Sequence, residues 1–335
     1  MPPPSDPSGR DKTFPVRHVA AIEPKPKDAL WLVESLWAAS GVGIVGGLPK
    51  SLKTWLATEL AIAVASGKDA LGRFPVKLSG PVLVYAAEDD LPAMRARFQA
   101  VADARGVALK DAPVYLIDVP ALRLDDHDQL RRLHRTVANL RPRLLVLDPF
   151  IRVVRLDENS AQEVSAVLGS LRALQRELDV AVLLVHHMRK SPSAHLGQQL
   201  RGSSDFAAWS DSGIYLVRDG SAHLVLCVEH RGAPAPPPLR VRLASEGPPH
   251  LVIEPAAAPP CATAAGQAGS LCDAVLERLR QSRRPLSTVE LRDLLKVRKA
   301  SLLETLSELR ASRLVQRADE GWLLAAAPQQ LAFDE

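Results

Sequence analysis

The stretch Val42-Gly43-Ile44-Val45-Gly46-Gly47-Leu48-Pro49-Lys50-Ser51-Leu52-Lys53-Thr54, followed at once by WLATELAIAVASG (residues 55–67), decides how this chain is read. An apolar strand, Val42 to Val45, runs into a glycine turn, and a helix begins at the Lys-Thr pair. That order is the architecture of a phosphate-binding loop. Backbone N–H groups of the loop and of the first helical turn point at a phosphate. Lys53 is placed to reach the outer phosphate oxygens, and the Thr54 hydroxyl to ligate Mg²⁺. The expected contact set is Gly47, Leu48, Pro49, Lys50, Ser51, Leu52, Lys53, Thr54 and Trp55. Leu52 stands where GxxxxGK[ST] has its second glycine, and its Cβ restricts φ. Binding is therefore better supported than turnover. The plainer alternative is a glycine turn before a buried helix, but the strand, loop, Lys-Thr and helix occur together in the required order.

Working outward, short apolar runs alternate with longer helical patterns: PVLVYAAE then LPAMRARFQAVADARG, PVYLID then DHDQLRRLHRTVANL, RLLVLD then AQEVSAVLGSLRALQREL, and finally VAVLLVHH. This alternation predicts an α/β fold with a mostly parallel sheet, right-handed crossovers and helices on both faces. Beyond Trp209 the texture changes to SGIYLVRD, HLVLCVEHR, LRVRLAS and HLVIEP, with a turn at Asp219-Gly220. These read as antiparallel strands extending one edge.

The same pass divides the chain. Residues 1–28, rich in Pro and charge, are expected to be a disordered arm. Residues 29–253 form the main domain, residues 254–270 an Ala/Pro/Gly linker, and residues 271–326 a small α-rich domain. A tail, 327–335, closes the chain. In the small domain three helices precede a hairpin, the winged-helix order, and Ser287 with Glu290 forms a capping-box signature.

Composition narrows the class. The 335 residues are 47% apolar, 4% aromatic and 24% charged, the profile of a soluble globular chain poor in stacking platforms for single strands. The net charge of +4 permits a nucleic-acid partner without demanding one. Cys227, Cys261 and Cys272 show no CxxC spacing, so neither a zinc site nor a disulfide framework is suggested. With no signal-peptide pattern and no apolar run of membrane-spanning length, the expected localisation is cytoplasmic and no membrane partner is expected.

In open parallel sheets ligands sit beyond the carboxyl ends of the strands. Polar residues that close apolar runs there are Glu88, Asp148 and the pair His186-His187. Asp148 has the form of an acid that holds Mg²⁺. Glu88 is placed to polarise an attacking water. His187, or its neighbour His186, is a candidate γ-phosphate sensor. Taken singly, each carboxylate could equally be a helix cap or a solvated turn.

Together these features resemble the RecA-type ATPases of the plasmid RepA and replicative DnaB helicase group, a set of AAA family ATPases, over roughly residues 30–245. The resemblance implies a RecA-like core with ATP and Mg²⁺ as cofactors. In AAEDDLPAMRAR it implies that Glu88 is the catalytic glutamate, and it makes Asp148 the Walker B acid. HHMRK matches the family's histidine motif, and Arg201-Gly202-Ser203-Ser204 its mobile segment. Arg231 in VEHRG matches best the basic residue that reaches a neighbouring subunit's γ-phosphate. The usual companion lysine is Glu229 here. A homo-oligomeric ring, commonly a hexamer with DNA through its centre, follows from the resemblance.

In the small domain Arg298 and Lys299 open the third helix and Arg310 and Arg313 flank its end, which suits DNA. Glu304, Glu308, Asp319 and Glu320 oppose it, and winged helices also dock proteins. Two functions stay open. One is a helicase-like or replication and recombination motor that hydrolyses ATP on DNA. The other is a nucleotide-sensing DNA-binding regulator with little hydrolysis. A metabolite kinase fits less well because no lid or substrate clamp follows the core strands.

Overall fold

The computed structural model describes residues 16–24, 26–155, 161–188, 196–200, 205–218, 223–257, 271–282, 284–295, 297, 299–311, 314–318 and 321–324. A small hairpin, β1 (Trp31–Val33) and β2 (Trp37–Ala38), leads into β3 (Val42–Gly47) and α1 (Lys53–Ser66). Then follow β4 (Val82–Ala86), α2 (Leu91–Ala104), β5 (Val114–Leu116), α3 (His127–Leu140), β6 (Leu144–Asp148), α4 (Ala161–Leu178) and β7 (Ala181–His187). A short α5 (Asp205–Trp209) precedes β8 (Ser212–Arg218), β9 (Leu224–His230), β10 (Leu239–Leu243) and β11 (Leu251–Ala257).

Nine strands form one sheet in the order β11-β10-β9-β8-β3-β7-β6-β4-β5. From β8 to β5 every neighbouring pair is parallel, whereas β8 to β11 pair antiparallel. This is the α/β, RecA-like arrangement expected above, with antiparallel strands at one edge.

Sequence explains why β3 and β6 lie inside the sheet, since Val42–Val45 and Leu144–Leu147 are apolar throughout and are buried at every residue. A strand covered on both faces must be apolar throughout. Alternation then sorts the side chains. Val45, Val146, Leu183 and Val185 face a core built with α1 and α2, while Ile44, Leu145, Leu147 and Leu184 face one built with Leu133 of α3 and Leu171 of α4. Gly43 lets β8 lie against β3, because a Cβ there would stand 2.0 Å from the Ser212 carbonyl oxygen.

Helix α1, which carries the loop, is buried without a break from Leu56 to Ala65. A helix apolar around its circumference belongs inside a core, and here it is held at its middle and its C-terminal end by polar bonds as well. Glu59, its one buried acid, accepts from the Leu71 amide at 2.9 Å and from Arg105 Nε at 2.6 Å. Gly67, at φ +72°, closes the helix by donating its N–H to the Ala63 carbonyl.

One boundary is corrected. The segment read as a linker from 254 begins inside the sheet, because β11 pairs with β10 as far as Leu239↔Ala257. Ladder bonds override the Pro/Ala composition, and Pro255 is tolerated on an edge strand. A second correction concerns Cys227, which is disulfide-bonded although the cysteine spacing suggested no such bond.

Toward the C-terminus lie α6 (Leu271–Gln281), α7 (Thr288–Leu295), α8 (Lys299–Ala311) and a hairpin of β12 (Val315–Ala318) and β13 (Gly321–Leu324). They share a small core that includes Val275, Leu291, Leu302, Leu306 and Trp322. At the start of α7 the Ser287 amide donates to Glu290 Oε2 at 2.8 Å and the Glu290 amide to Ser287 Oγ at 3.2 Å, a reciprocal capping box.

Several expectations lie outside the described residues: Arg201 to Ser204, Arg189 and Lys190 of HHMRK, the Asp219-Gly220 turn, residues 258–270, Arg298, Arg313, Asp319, Glu320, the tail and the side chains of Lys299, Glu304 and Glu308. Among the described residues, no helix is long and apolar enough to cross a membrane.

Candidate nucleotide site

The loop turns back hard on β3. A Cβ on Gly47 would meet Ser51 Oγ at 2.3 Å and the Leu216 carbonyl oxygen at 2.8 Å, so only glycine fits there. Ser51 is buried, and its hydroxyl has no hydrogen-bond partner among the described residues. A buried hydroxyl without a partner is costly unless something else accepts or donates to it.

Leu52 caps α1 in the left-handed conformation, φ +64° and ψ 24°, and Lys50 has φ +61°. The loop therefore follows a path open to glycine, and leucine follows it at a cost of about 1–2 kcal/mol. Packing of its side chain against the core under α1 offsets part of that cost. A sharp test compares two truncations. Leu52→Gly should be more stable than Leu52→Ala by about 1 kcal/mol in urea unfolding, the reverse of the order at ordinary helical positions. Alanine equal to or better than glycine would mean that the left-handed path is not held in solution.

Lys53 is buried at the first position of α1, and its ammonium donates to the Leu48 carbonyl oxygen at 2.9 Å. Burial lowers its pKa, while the negative charges of Asp148 and Glu88 pull the other way. Asp148 ends β6, which lies one strand removed from β3 with β7 between them. Its carboxylate is bonded to the Thr54 side chain. Burial pushes the Asp148 pKa up to about 6, against the Thr54 bond and the Lys53 charge, which lower it.

The three consecutive acids after β4 separate by role. Glu88 lines the same cleft as Lys53, Thr54 and Asp148, and its Oε1 stands 3.0 Å from Arg152 Nε. Asp89 accepts from Arg97 Nη1 at 2.6 Å. Asp90 caps α2 through the Ala93 amide at 2.7 Å, so the helix-cap alternative holds for this residue. Arg97 also lies over the Trp55 ring, 5.3 Å from its centroid, and lines the cleft. Sequence reasoning did not single out Arg97. The signal was present in its place two turns into the helix that starts after the acidic run, which turns it back over those acids.

Strand alternation separates the histidines. His186 is fully buried, 4.3 Å from the Phe206 ring and 5.8 Å from Phe150, on the core side of β7. His187 pairs in register with Gly47 and lines the cleft. Of the two candidates, geometry leaves His187 beside the loop.

The resulting cleft is about 230 Å³, walled by Lys50 to Trp55, Glu88, Arg97, Asp148 and His187. Its chemistry suits a magnesium–triphosphate. It offers a buried ammonium, a hydroxyl inside the loop that is unpartnered among the described residues, and a hydroxyl–carboxylate pair whose acid is held high by burial.

Arg231 stands apart from this cleft. It follows His230, which pairs with Ser212, and Ser212 pairs with Gly43 at the start of β3. That is the end of the sheet opposite the loop, about 13 Å along the strand from Gly47. Its guanidinium donates to the Ala208 carbonyl oxygen and lies 3.5 Å from Asp211 Oδ1. Glu229 is engaged as well, accepting from the Leu196 amide at 3.0 Å and the Gly197 amide at 3.2 Å. Arg231 therefore lies away from Lys53 and Glu88 of its own chain, because β9 runs antiparallel and carries its end away from the loop.

A parallel sheet with a Lys-Thr loop at the carboxyl end of one strand and an acid at the end of another defines a P-loop nucleoside triphosphatase fold. Residues 5–193, more than half of the chain, match the AAA domain family, and the chain belongs to that family. It is 25% identical over 209 residues to the replicative DNA helicase DnaB of Treponema pallidum (strain Nichols), covering 56% of this chain and 47% of that protein. The chain thus spans about half the length of this curated relative. Among solved structures, the crystal structure of the RadB recombinase superposes with a TM-score of 0.46 at 19% identity, over 62% of this chain and 90% of that one.

Proposed function

We propose that this protein binds ATP with Mg²⁺ in the cleft and hydrolyses it while acting on DNA, as a helicase-like or recombination-type motor. The observation that carries the reading is the convergence of Lys53, Thr54, Asp148 and Glu88, from separate places in the sequence, on one cleft. Magnesium, when bound, supplies charge neutralisation on the phosphates. Thr54 and Asp148 would hold it, and Lys53 would shift from the Leu48 carbonyl to the outer phosphate oxygens. Glu88 orients the attacking water and accepts its proton. His187 senses the γ-phosphate from the neighbouring strand end.

Arg231, at the far end of the sheet, serves a neighbouring subunit's nucleotide. That assignment supports a head-to-tail homo-oligomer, and a hexameric ring is its closed form. The DnaB relative favours DNA as the partner. The C-terminal helices and hairpin act as a winged-helix module, with Arg310 exposed on α8 for a phosphate contact. A cytoplasmic location fits these roles.

A second reading, a nucleotide sensor with little turnover, is favoured by the strained Leu52 and by Glu229, which is committed to backbone amides where the family carries a cation. One experiment separates the two. The protein is sized with ATP and Mg²⁺, and turnover of the resulting species is measured with and without single-stranded DNA. Lys53→Ala should bind magnesium–ATP at least about tenfold more weakly by calorimetry, as loss of a charge-assisted bond predicts. DNA-stimulated turnover that disappears with Lys53 supports the motor. ATP binding without such turnover rejects the motor for the sensor.

A further inference from the structure

A second cavity, about 430 Å³, shares Glu88 as a wall with the nucleotide cleft. Its other charged walls are two arginines, Arg123 and Arg152. Arg152 Nε lies 3.0 Å from Glu88 Oε1, and both side chains are about half exposed or more, at 62% and 49%. Arg123 is set deeper. Its Nη1 donates to the Arg152 carbonyl oxygen, and its buried Nε has no partner among the described residues. The loop that carries it is pinned, with the Leu122 amide bonded to the Tyr85 hydroxyl at 3.0 Å and the Arg123 amide to Gln129 Oε1 at 2.8 Å. The cavity wall thus carries two guanidiniums and one carboxylate, a net positive charge.

We propose that this cavity is an oxyanion subsite for a tetrahedral phosphate, held by Arg152 and Arg123, and that its occupation draws Arg152 off Glu88. Guanidinium forks match phosphate oxygens with two parallel bonds. An exposed ion pair such as Glu88–Arg152 is weak and yields to a competing anion. Glu88, released from Arg152, is then available to the water in the adjoining cleft. The regulatory half of this inference rests on the cleft being an ATP-hydrolysing site. Two sources share the chemistry: orthophosphate leaving the cleft, and a phosphodiester of a nucleic-acid backbone.

The test uses the full chain loaded with magnesium and a non-hydrolysable ATP analogue, so that added phosphate does not enter the loop. Sodium phosphate is titrated by calorimetry, and a fluorescein-labelled oligothymidylate by anisotropy. Uptake of phosphate identifies the product as occupant, and uptake of the oligonucleotide identifies the backbone. Arg152→Gln should weaken whichever binds by at least about tenfold. Glu88→Gln, by removing the competing carboxylate, should tighten it about threefold. Arg132→Gln, which removes an exposed charge from the neighbouring apolar cavity, should leave it within about twofold. No uptake of either probe by protein that holds the analogue overturns the subsite. Equal losses in Arg132→Gln and Arg152→Gln, or no tightening in Glu88→Gln, overturn it too. Failure of the analogue to bind would instead overturn the nucleotide reading, and the regulatory role with it.

Discussion

Glu88→Gln is expected to lower steady-state ATP turnover by roughly 10²–10⁴-fold, the range for loss of a positioned general base. Magnesium–ATP affinity should hold or tighten slightly. The reason lies in charge placement, since the Glu88 carboxylate shares the cleft with the Lys53 ammonium and acts on it electrostatically. Removing that negative charge eases the approach of a triphosphate while deleting the group proposed to take the proton of the water. The signature is therefore a fall in kcat without a rise in Kd, which a loss of folding would not produce. Steady-state kinetics beside calorimetry on the same preparation measures both. Turnover within a few-fold of the parent would remove Glu88 from the catalytic role and return that role to the water alone or to His187.

Much of the fold was legible because its cause is local. An all-apolar Val42–Val45 run, the Lys-Thr step and a helix buried on every side follow from strand and helix periodicity and from the loop's steric demands, all carried by neighbouring residues. Asp148 was legible for the same reason, as the first charge after an apolar strand. What the sequence did not settle depends on register between distant segments. Whether His186 or His187 faces the loop turns on the pairing of β7 with β3. The division of labour among Glu88, Asp89 and Asp90 depends on where α2 begins and on the reach of Arg97 and Arg152 from other elements. How far Arg231 stands from the loop of its own chain likewise depends on the pairing of β9 with β8 and of β8 with β3. The extension of β11 through Pro255 was hidden because edge pairing with β10, which composition does not report, decides it.

Asp148→Asn should stabilise the magnesium-free protein at pH 7 by about 3 kcal/mol while abolishing the tightening of ATP binding by Mg²⁺. In the folded chain burial, above all, raises the Asp148 pKa from 3.8 to about 6, and a rise of that size corresponds to about 3 kcal/mol. Below pH 4 the carboxyl is protonated in both folded and unfolded chains and its titration leaves stability unaffected. Between pH 4 and 6 the unfolded chain gives up its proton while the folded chain keeps it, so wild-type stability falls as pH rises. Above pH 6 the full cost is present, because the folded protein then carries a buried anion. Asparagine never ionises, so its advantage over wild type should be absent near pH 3.5, grow through pH 4–6 and level off above. Urea unfolding in EDTA at four or five pH values reads this profile, and a flat difference would show that the carboxyl is not desolvated. The same burial bears on the proposed magnesium site, since a desolvated carboxylate gains more from a divalent cation than a hydrated one does. Magnesium should accordingly raise wild-type stability at pH 7 and leave Asp148→Asn nearly unmoved.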